Sequence, residues 1–103
     1  MPTREEVINV LKEIYDPEIP VDIWNLGLIY GIEIDDGKIN IRMTLTAPGC
    51  PLANVLAYNV EEKLKELPGV EEVNVQIVWD PPWSVDRISE EGKKILRSYG
   101  YQI

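Results

Sequence analysis

The apolar residues near the N-terminus recur at the spacing of a helix. Thr3 and Glu6 have the arrangement of a capping box, and hydrophobic positions then repeat every three or four residues as far as Tyr15. The dipeptide Asp16-Pro17 follows, and proline cannot continue a helix because its nitrogen carries no hydrogen. The pattern therefore predicts a first amphipathic helix that runs to about Tyr15.

Farther along the chain the hydrophobic period changes to two, which is the period of a β-strand. Two alternating runs flank Asp36-Gly37, a dipeptide typical of hairpin turns, so the sequence predicts an antiparallel pair of strands. The other face of this pair is mainly polar and includes Thr44 and Thr46, which suggests that helices cover the sheet on one side only. The predicted buried face consists of Leu28, Tyr30, Ile32 and Ile34 in the first strand and Ile39, Ile41, Met43 and Leu45 in the second.

The second half of the chain predicts two more helices and a third strand. Pro51 is typical of the first residue of a helix, and an apolar stripe at helical spacing runs from Leu52 to Leu67. Alternation resumes from Val73 to Trp79, which predicts a strand with Trp79 in the core. A strand–helix–strand connection normally returns the chain parallel, so this strand should lie parallel to the second. Ser89 is a suitable cap for a last helix.

These elements together predict an α+β fold in a single domain of residues 1–103. The element order is α-β-β-α-β-α, and the expected architecture is a two-layer α/β sandwich in which a small mixed sheet carries its helices on one face. The 45% of hydrophobic residues is enough for one ordinary core, and a chain of 103 residues has no room for a second.

The charge balance restricts the partners. Acidic residues outnumber basic ones by 18 to 10, which gives a formal net charge of −8. Such a surface repels nucleic-acid phosphates and anionic membranes, so we expect no nucleic acid and no membrane as a partner. The N-terminus lacks the basic and apolar stretches of a signal peptide, and no apolar run approaches the length of a membrane span. We therefore expect a cytoplasmic protein.

The chain contains no histidine and one cysteine, Cys50. Histidine acid–base catalysis and imidazole ligation are thus excluded within the chain. One cysteine closes no internal disulfide, and it cannot alone supply the four thiolates usual for zinc or for an iron–sulfur cluster. Any metal bound through Cys50 would need ligands from elsewhere.

Cys50 lies in the loop Thr46-Ala47-Pro48-Gly49-Cys50-Pro51, between the second strand and the second helix. This position is at or next to the N-terminus of a predicted helix, where backbone N–H groups stabilise a thiolate. The thiolate is the form of cysteine that attacks electrophiles and binds metal. The alternative is a buried, inert cysteine that fills a gap in the core.

Two further segments stand outside the predicted elements. Asp16 and Glu18 lie in a proline-stiffened stretch, where they could complete a metal site with Cys50 or tune its protonation. The alternative is that they are a turn residue and a solvated charge. In Trp79-Asp80-Pro81-Pro82-Trp83 we expect Trp83 to cover the core rather than to form an exposed docking surface.

Five segments, in their order and spacing, resemble the iron–sulfur cluster assembly domain family that includes PaaD and SufT. The resemblance covers nearly the whole chain. It implies a two-layer α/β fold of the kind shared with NifU C-terminal domains, and a role in the maturation of iron–sulfur proteins. The segments are Asp16-Pro17-Glu18-Ile19-Pro20, Leu26-Gly27-Leu28-Ile29-Tyr30, Thr46-Ala47-Pro48-Gly49-Cys50-Pro51, Leu67-Pro68-Gly69-Val70 and Trp79-Asp80-Pro81-Pro82-Trp83.

The resemblance also implies a site and partners. Cys50 matches the family's functional cysteine, and the matching residues around it are Asp16, Glu18 and Thr46. The expected partners are iron–sulfur assembly proteins, namely a scaffold, a carrier ATPase or client apoproteins. We expect no tightly bound cofactor, only a labile iron–sulfur cluster that Cys50 holds transiently and that a homodimer could share. We add Asp80 and Trp83 as the candidate rim of a docking surface.

Two features of related proteins are absent from this sequence. PaaD-like relatives carry a cysteine-rich tail, whereas residues 99–103 contain no cysteine, so a specific part in phenylacetate degradation is not expected. Other relatives are fused to an ATPase, but the chain has no glycine-rich phosphate loop. If ATP is used, we expect a partner to use it.

Three hypotheses follow for the function. The leading one is a non-enzymatic accessory factor in which Cys50 transiently holds a cluster or a client protein. A thiol enzyme would instead use Cys50 as nucleophile with Asp16 or Glu18 as base, although the absence of histidine disfavours it. A structural adaptor would bind partners through the polar sheet face or Trp83 and would not need the thiol.

Overall fold

A computed structural model describes residues 2–16, 19–46 and 53–102. Three helices, three strands and one short 3₁₀ turn follow in the order that the sequence predicts, so the α-β-β-α-β-α arrangement is confirmed. The elements are α1 (Arg4–Leu11), β1 (Ile29–Asp35), β2 (Lys38–Met43), α2 (Ala53–Lys65), β3 (Glu72–Ile77), the 3₁₀ turn (Val85–Arg87) and α3 (Glu90–Ser98).

The capping box of α1 is present as predicted. The Thr3 hydroxyl accepts a hydrogen bond from the backbone N–H of Glu6 at 3.2 Å, and the Glu6 carboxylate accepts one from the backbone N–H of Thr3 at 2.9 Å. These bonds satisfy N–H groups that have no partner inside the helix. The helix then buries Val7 and Leu11 against the rest of the protein.

The predicted end of this helix at Tyr15 is wrong, because α1 ends at Leu11. Beyond it the backbone pairs with a later loop instead of continuing the helix. The carbonyl of Ile14 accepts from the N–H of Ile23 at 2.8 Å, and Tyr15 forms an isolated antiparallel bridge with Asp22. Tertiary pairing therefore overrides the helical pattern after Leu11.

The three strands form one mixed sheet in the order β1-β2-β3. β1 and β2 are antiparallel and are joined through Asp36-Gly37, where Asp36 has a positive φ of 52°. β2 and β3 are parallel, from the pair Lys38 and Glu72 to the pair Met43 and Ile77. Both the hairpin and the parallel return are thus confirmed.

One side of the sheet is buried and the other is open. Along β2, residues alternate strictly between exposed and buried, as a strand covered on one face requires. All three helices contribute side chains to the same core. Fully or almost fully buried members include Val7 and Leu11 of α1, Ile39, Ile41 and Met43 of β2, Leu56, Val60 and Leu64 of α2, and Leu96 of α3.

The α2 stripe is confirmed over the described part of that helix. Leu56, Val60 and Leu64 are buried, and the helix ends at Lys65, ahead of Pro68-Gly69. The predicted start at Pro51 lies outside the described residues. At α3, the Ser89 hydroxyl accepts from the N–H of Gly92 at 3.0 Å, so Ser89 is the helix cap that the sequence predicts.

Tyr30 does not join the buried face of β1, so that prediction is wrong. The pairing of β1 with β2 shifts between Ile29 and Gly31, which leaves Tyr30 as the extra residue of a β-bulge. Ile29 packs against the core in its place. The Tyr30 hydroxyl instead donates to the carbonyl of Pro81 at 2.8 Å.

The two tryptophans after β3 differ in their environment. Trp79 is 44% exposed, so the prediction that it lies in the core is wrong. The strand ends at Ile77, and the alternation on which the prediction depended ends with it. Trp83 packs against the core, and its indole N–H donates to the carbonyl of Leu26 at 2.7 Å. Its role as a cover of the core is therefore confirmed.

Within the part of the chain that the structure describes, no helix has both the length and the apolar composition needed to cross a bilayer.

Gly27 is a position where the fold requires glycine. Its φ is +76°, and a Cβ there would overlap the backbone carbonyl oxygen of Arg87. We expect Gly27→Ala to lower the free energy of unfolding by about 3 kcal/mol, from left-handed strain and overpacking combined. Urea unfolding followed by circular dichroism measures this value.

Gly100→Ala is the matched control. Gly100 also has a positive φ, +96°, but no atom lies within 4 Å of its added Cβ. This variant should cost about 1 kcal/mol, from backbone strain alone. Equal losses in the two variants would show that the contact between Gly27 and Arg87 does not constrain the fold.

Candidate functional site

The parallel pairing of β2 and β3 brings several loops to one edge of the sheet. Met43 is the last residue of β2 and pairs with Ile77, the last residue of β3. Ile29, the first residue of β1, pairs with Met43 from the other side. Ligand sites in such sheets usually lie beyond the carboxyl ends of parallel strands. This edge, which we call the carboxyl edge, is therefore where a site should be sought.

The loop that carries Asp16 is fastened to the same edge by successive backbone hydrogen bonds. The N–H of Ile23 donates to Ile14, that of Leu28 donates to Ile23, and that of Thr44 donates to Leu28, at 2.8, 3.2 and 2.8 Å. Thr44 directly follows β2. The chain before β1 is thus connected to the point where β2 ends.

Asp16 itself is half-buried and held by its own loop. Its carboxylate accepts from the N–H of Ile19 at 3.2 Å, and its N–H donates to the carbonyl of Val21 at 3.4 Å. These contacts fit the turn role that the sequence left open for Asp16. Glu18, the second carboxylate of this segment, lies outside the described residues.

Thr46 is half-buried, three positions after the end of β2. Cys50 and the rest of its loop, residues 47–52, lie outside the described residues. The structure therefore brings Thr46 and the segment with Asp80 and Trp83 to the carboxyl edge, and it connects the Asp16 loop to that edge. The predicted assignments of Cys50, Asp16, Glu18 and Thr46 to one site remain predictions.

Thr44 differs from its expected place on the polar face, since its side chain is fully buried. The backbone leaves regular β2 at Met43, so the strand alternation no longer applies to it. Its hydroxyl oxygen has no hydrogen-bond partner among the residues that the structure describes. A buried hydroxyl without a partner costs free energy relative to an apolar group of the same shape.

A buried polar network beside this edge was not foreseen from the sequence. The Asp22 carboxylate accepts from the backbone N–H and the side-chain amide of Asn25, at 3.0 and 2.8 Å. The Ser89 hydroxyl donates to the Asn25 side-chain oxygen at 2.7 Å. The network joins the loop before β1 to the start of α3. The spacing of Asp22 and Asn25, three positions apart, is the only sign of this network in the sequence, because Asp and Asn side chains at this spacing often bond to nearby backbone N–H groups.

A cleft of about 570 Å³ opens next to the same edge. Its lining includes Tyr30, Arg42, Asp80 and Arg87. The sequence does not reveal this cleft, because the alternation in β1 predicts Tyr30 in the core. Gly31 was the available signal, since a glycine inside a strand often marks a bulge. The remaining lining residues are Gly27, Ile29, Val78 and Pro81.

Among residues 2–16, 19–46 and 53–102, no group of three or more cysteine, aspartate or glutamate side chains is arranged to hold a metal ion. Metal ligation through Cys50 thus stays a prediction.

Comparison with known protein families gives a match that spans most of the chain. Residues 4–77 match the model of a family described as "Iron-sulfur cluster assembly protein". The matched range contains the loop from Thr46 to Pro51 and all three strands.

This chain is similar to two proteins of matching length and to part of a longer one. It is 45% identical to Fe-S protein maturation auxiliary factor YitW of Bacillus subtilis, over 90% of this chain and 92% of that protein. It is 42% identical to Fe-S protein maturation auxiliary factor SufT of Staphylococcus aureus, over 81% and 96% of the two chains. An iron-sulfur cluster carrier protein of Synechocystis is 34% identical over 80% of this chain, which corresponds to 23% of that longer protein.

Solved structures confirm the fold. A domain of unknown function, DUF59, from Bacillus anthracis superimposes with a TM-score of 0.85 and is 39% identical. The superposition covers 90% of each chain. The α+β architecture with a small mixed sheet is therefore shared with that crystal structure.

Thr44 offers a test of the geometry at the carboxyl edge. We expect Thr44→Val to raise the free energy of unfolding by about 1 kcal/mol, because it removes a buried hydroxyl that lacks a partner among the described residues. Thr46→Val, at a half-buried position, should change stability by less than about 0.5 kcal/mol. Urea unfolding of the two variants measures both values. A loss of stability in Thr44→Val would contradict the assignment of an unpaired hydroxyl.

Proposed function

Because this chain belongs to the iron–sulfur cluster assembly protein family, we propose that it is an accessory factor in the maturation of iron–sulfur proteins. We propose further that Cys50 is the residue through which it holds a cluster or a client. The observation that carries the proposal is the near full-length similarity to proteins of matching size that are named Fe-S protein maturation auxiliary factors. That name describes an auxiliary factor rather than an enzyme, and our proposal follows it.

The position of Cys50 in the chain suits this role. It lies between the carboxyl end of β2 and the first described residue of α2, Ala53. A thiol near a helix N-terminus is exposed to the partial positive charge of unpaired N–H groups, which favours the thiolate. The thiolate is the form that coordinates iron, so this placement supports transient ligation.

One thiolate is too few for a stable cluster, which shapes the proposed mechanism. A [2Fe–2S] cluster usually takes four cysteine ligands, so Cys50 must share it with another protein or a second copy of this chain. Asp16, Glu18 and Thr46 are the proposed oxygen donors or hydrogen-bonding neighbours. In this proposal the cluster is cargo that is held weakly and passed on, rather than a resident cofactor.

The proposed partners are a cluster scaffold, a carrier ATPase and client apoproteins. The similar Synechocystis carrier is a much longer protein, in which the segment like this chain forms about a quarter. A separate carrier is proposed as a partner because a segment similar to this chain occurs within that carrier protein. We propose Asp80 and Trp83 as part of the docking rim, and the reducing cytoplasm as the location, since it keeps the thiol free.

Anaerobic reconstitution with iron and sulfide tests direct ligation. We expect wild-type protein to gain weak visible absorption that a chelator removes quickly, and Cys50→Ser to gain none, because a serine hydroxyl is a much poorer ligand for iron than a thiolate. Ultraviolet–visible spectra of desalted samples measure the bound cluster. Equal absorption in wild type and Cys50→Ser would rule out ligation by Cys50.

A matched pair of carboxylate variants tests the neighbours. Asp16→Asn should lower the yield of bound cluster, whereas Glu33→Gln, which neutralises an exposed carboxylate on β1, should leave it unchanged. The cluster yield per protein is read from iron and sulfide analysis. Equal yields for Asp16→Asn and wild type would remove Asp16 from the site.

The reactivity of Cys50 reports its protonation state. If the helix N-terminus stabilises the thiolate, the rate of alkylation of Cys50 by iodoacetamide should increase with pH. The midpoint of this increase should lie below about 7.5, whereas that of a free thiol lies near about 8.5. Mass spectrometry of samples quenched at a series of pH values gives this profile. A profile centred near 8.5, or no alkylation of the folded protein, would contradict an activated thiolate.

A further inference from the structure

The cleft beside the carboxyl edge carries chemistry that the proposed function does not use. We call it the arginine cleft, because Arg42 of β2 and Arg87 of the 3₁₀ turn both line it, together with Tyr30 and Asp80. Its volume of about 570 Å³ lies within the usual range for small-molecule sites, roughly 300–1,000 Å³. Arg42 reaches it from the exposed face of β2.

Arg42 is positioned in this cleft by the absence of a side chain at Gly31. The two residues are paired across β1 and β2, and a Cβ on Gly31 would lie 2.5 Å from a guanidinium nitrogen of Arg42. The guanidinium therefore lies directly over the β1 backbone. No carboxylate among the described residues forms an ion pair with it.

Arg87 is held by an aromatic ring rather than by a carboxylate. Its guanidinium carbon lies 4.7 Å from the centre of the Tyr30 ring, within the distance of a cation–π contact. The ring is itself fixed, because its hydroxyl donates to the carbonyl of Pro81 at 2.8 Å. A cation–π contact leaves the guanidinium N–H groups at the ring edge available to bind oxygen atoms.

The arginines of the cleft differ from Lys65 and Lys93, which pair with carboxylates on their own helices. Neither Arg42 nor Arg87 has a carboxylate within ion-pair distance among the described residues. Asp80 lines the same cleft and forms no ion pair there. Two guanidinium groups without carboxylate partners in a concave site provide the paired N–H donors that suit oxyanions.

We propose that the arginine cleft binds a small dianionic ligand through oxyanion groups, either a phosphoryl group or a dicarboxylate. Arg42 and Arg87 donate hydrogen bonds to the oxyanions, Tyr30 fixes Arg87, and Gly31 leaves room for Arg42. Asp80 repels a second negative group at its end of the cleft. This inference is independent of Cys50, since no part of the cleft requires the thiol.

Nuclear magnetic resonance titration tests the proposal directly in a protein of 103 residues. Inorganic phosphate and malonate are the two probes, each added at constant ionic strength set with chloride. We expect saturable shifts of the Arg42 and Arg87 side-chain Nε–H signals and of the Gly27 and Gly31 amides. Saturation by phosphate alone identifies a phosphoryl ligand, and saturation by malonate alone identifies a dicarboxylate. Saturation by both shows that the cleft recognises oxyanion groups of either kind.

Variants separate a built site from general charge attraction. Arg42→Gln and Arg87→Gln should each weaken binding about tenfold, because each removes a charged hydrogen-bond donor. Gly31→Ala keeps every charge but displaces the Arg42 guanidinium, so it should also weaken binding. Lys38→Gln is the matched control, since it removes a cation from the same face of β2 outside the cleft and should change affinity by less than about twofold.

Two more variants complete the test. Asp80→Asn should tighten binding, because it removes a negative charge from the cleft. Cys50→Ser should bind the anion as wild type does, even if it fails in cluster assembly. The proposal is overturned if neither probe gives a saturable shift, if Arg42→Gln and Arg87→Gln bind as wild type, or if Lys38→Gln loses as much affinity as they do.

Discussion

β2 and β3 run parallel over six residue pairs, from Lys38 and Glu72 to Met43 and Ile77, and this pairing determines where the connecting loops can lie. A parallel return requires a crossover, which α2 provides on the apolar side of the sheet. Both strands consequently release their following loops at one edge. This constraint brings Thr46 and the segment with Asp80 and Trp83 to one edge, although more than 30 residues separate them in sequence.

The same edge also receives the chain that precedes β1. Successive backbone hydrogen bonds connect Ile14 to Ile23, Leu28 and Thr44, so the loop with Asp16 is fixed to the end of β2. On the polar side, the bulge at Tyr30 turns an aromatic ring out of the core and into the arginine cleft. Thr46, the last described residue before Cys50, and the arginine cleft thus lie at the same strand end, and the cleft uses none of the residues proposed for the thiol site.

Local signals in the sequence were sufficient for most of the framework. The capping box at Thr3, the Asp36-Gly37 turn and the Ser89 cap involve neighbours in sequence, and each occurs as predicted. The features that the sequence did not reveal depend on distant contacts. α1 ends early because residues 14–15 pair with residues 22–23, and Tyr30 leaves the core because β1 and β2 change register.

The functional residues also fall into two groups, those that the sequence indicates and those that only the fold brings together. Cys50 could be singled out from its position before a helix and from the family resemblance, whereas Arg42 and Arg87 carry no local pattern. Arg42 and Arg87 line one cleft because of the bulge in β1, the missing side chain at Gly31 and the position of the turn before α3. Thr44 likewise is polar by sequence but buried by tertiary packing. Local sequence patterns indicate secondary structure, but only the folded chain shows that Arg42 and Arg87 lie in the same cleft.

The proposed role in the maturation of iron–sulfur proteins depends on the Cys50 thiol. Its most direct test is the activity of a [4Fe–4S] dehydratase in a bacterial strain that lacks its own factor of this family. We predict that the wild-type chain restores this activity and that Cys50→Ser, at equal abundance, does not. Full restoration by Cys50→Ser, or no restoration by the well-expressed wild-type chain, would contradict the account.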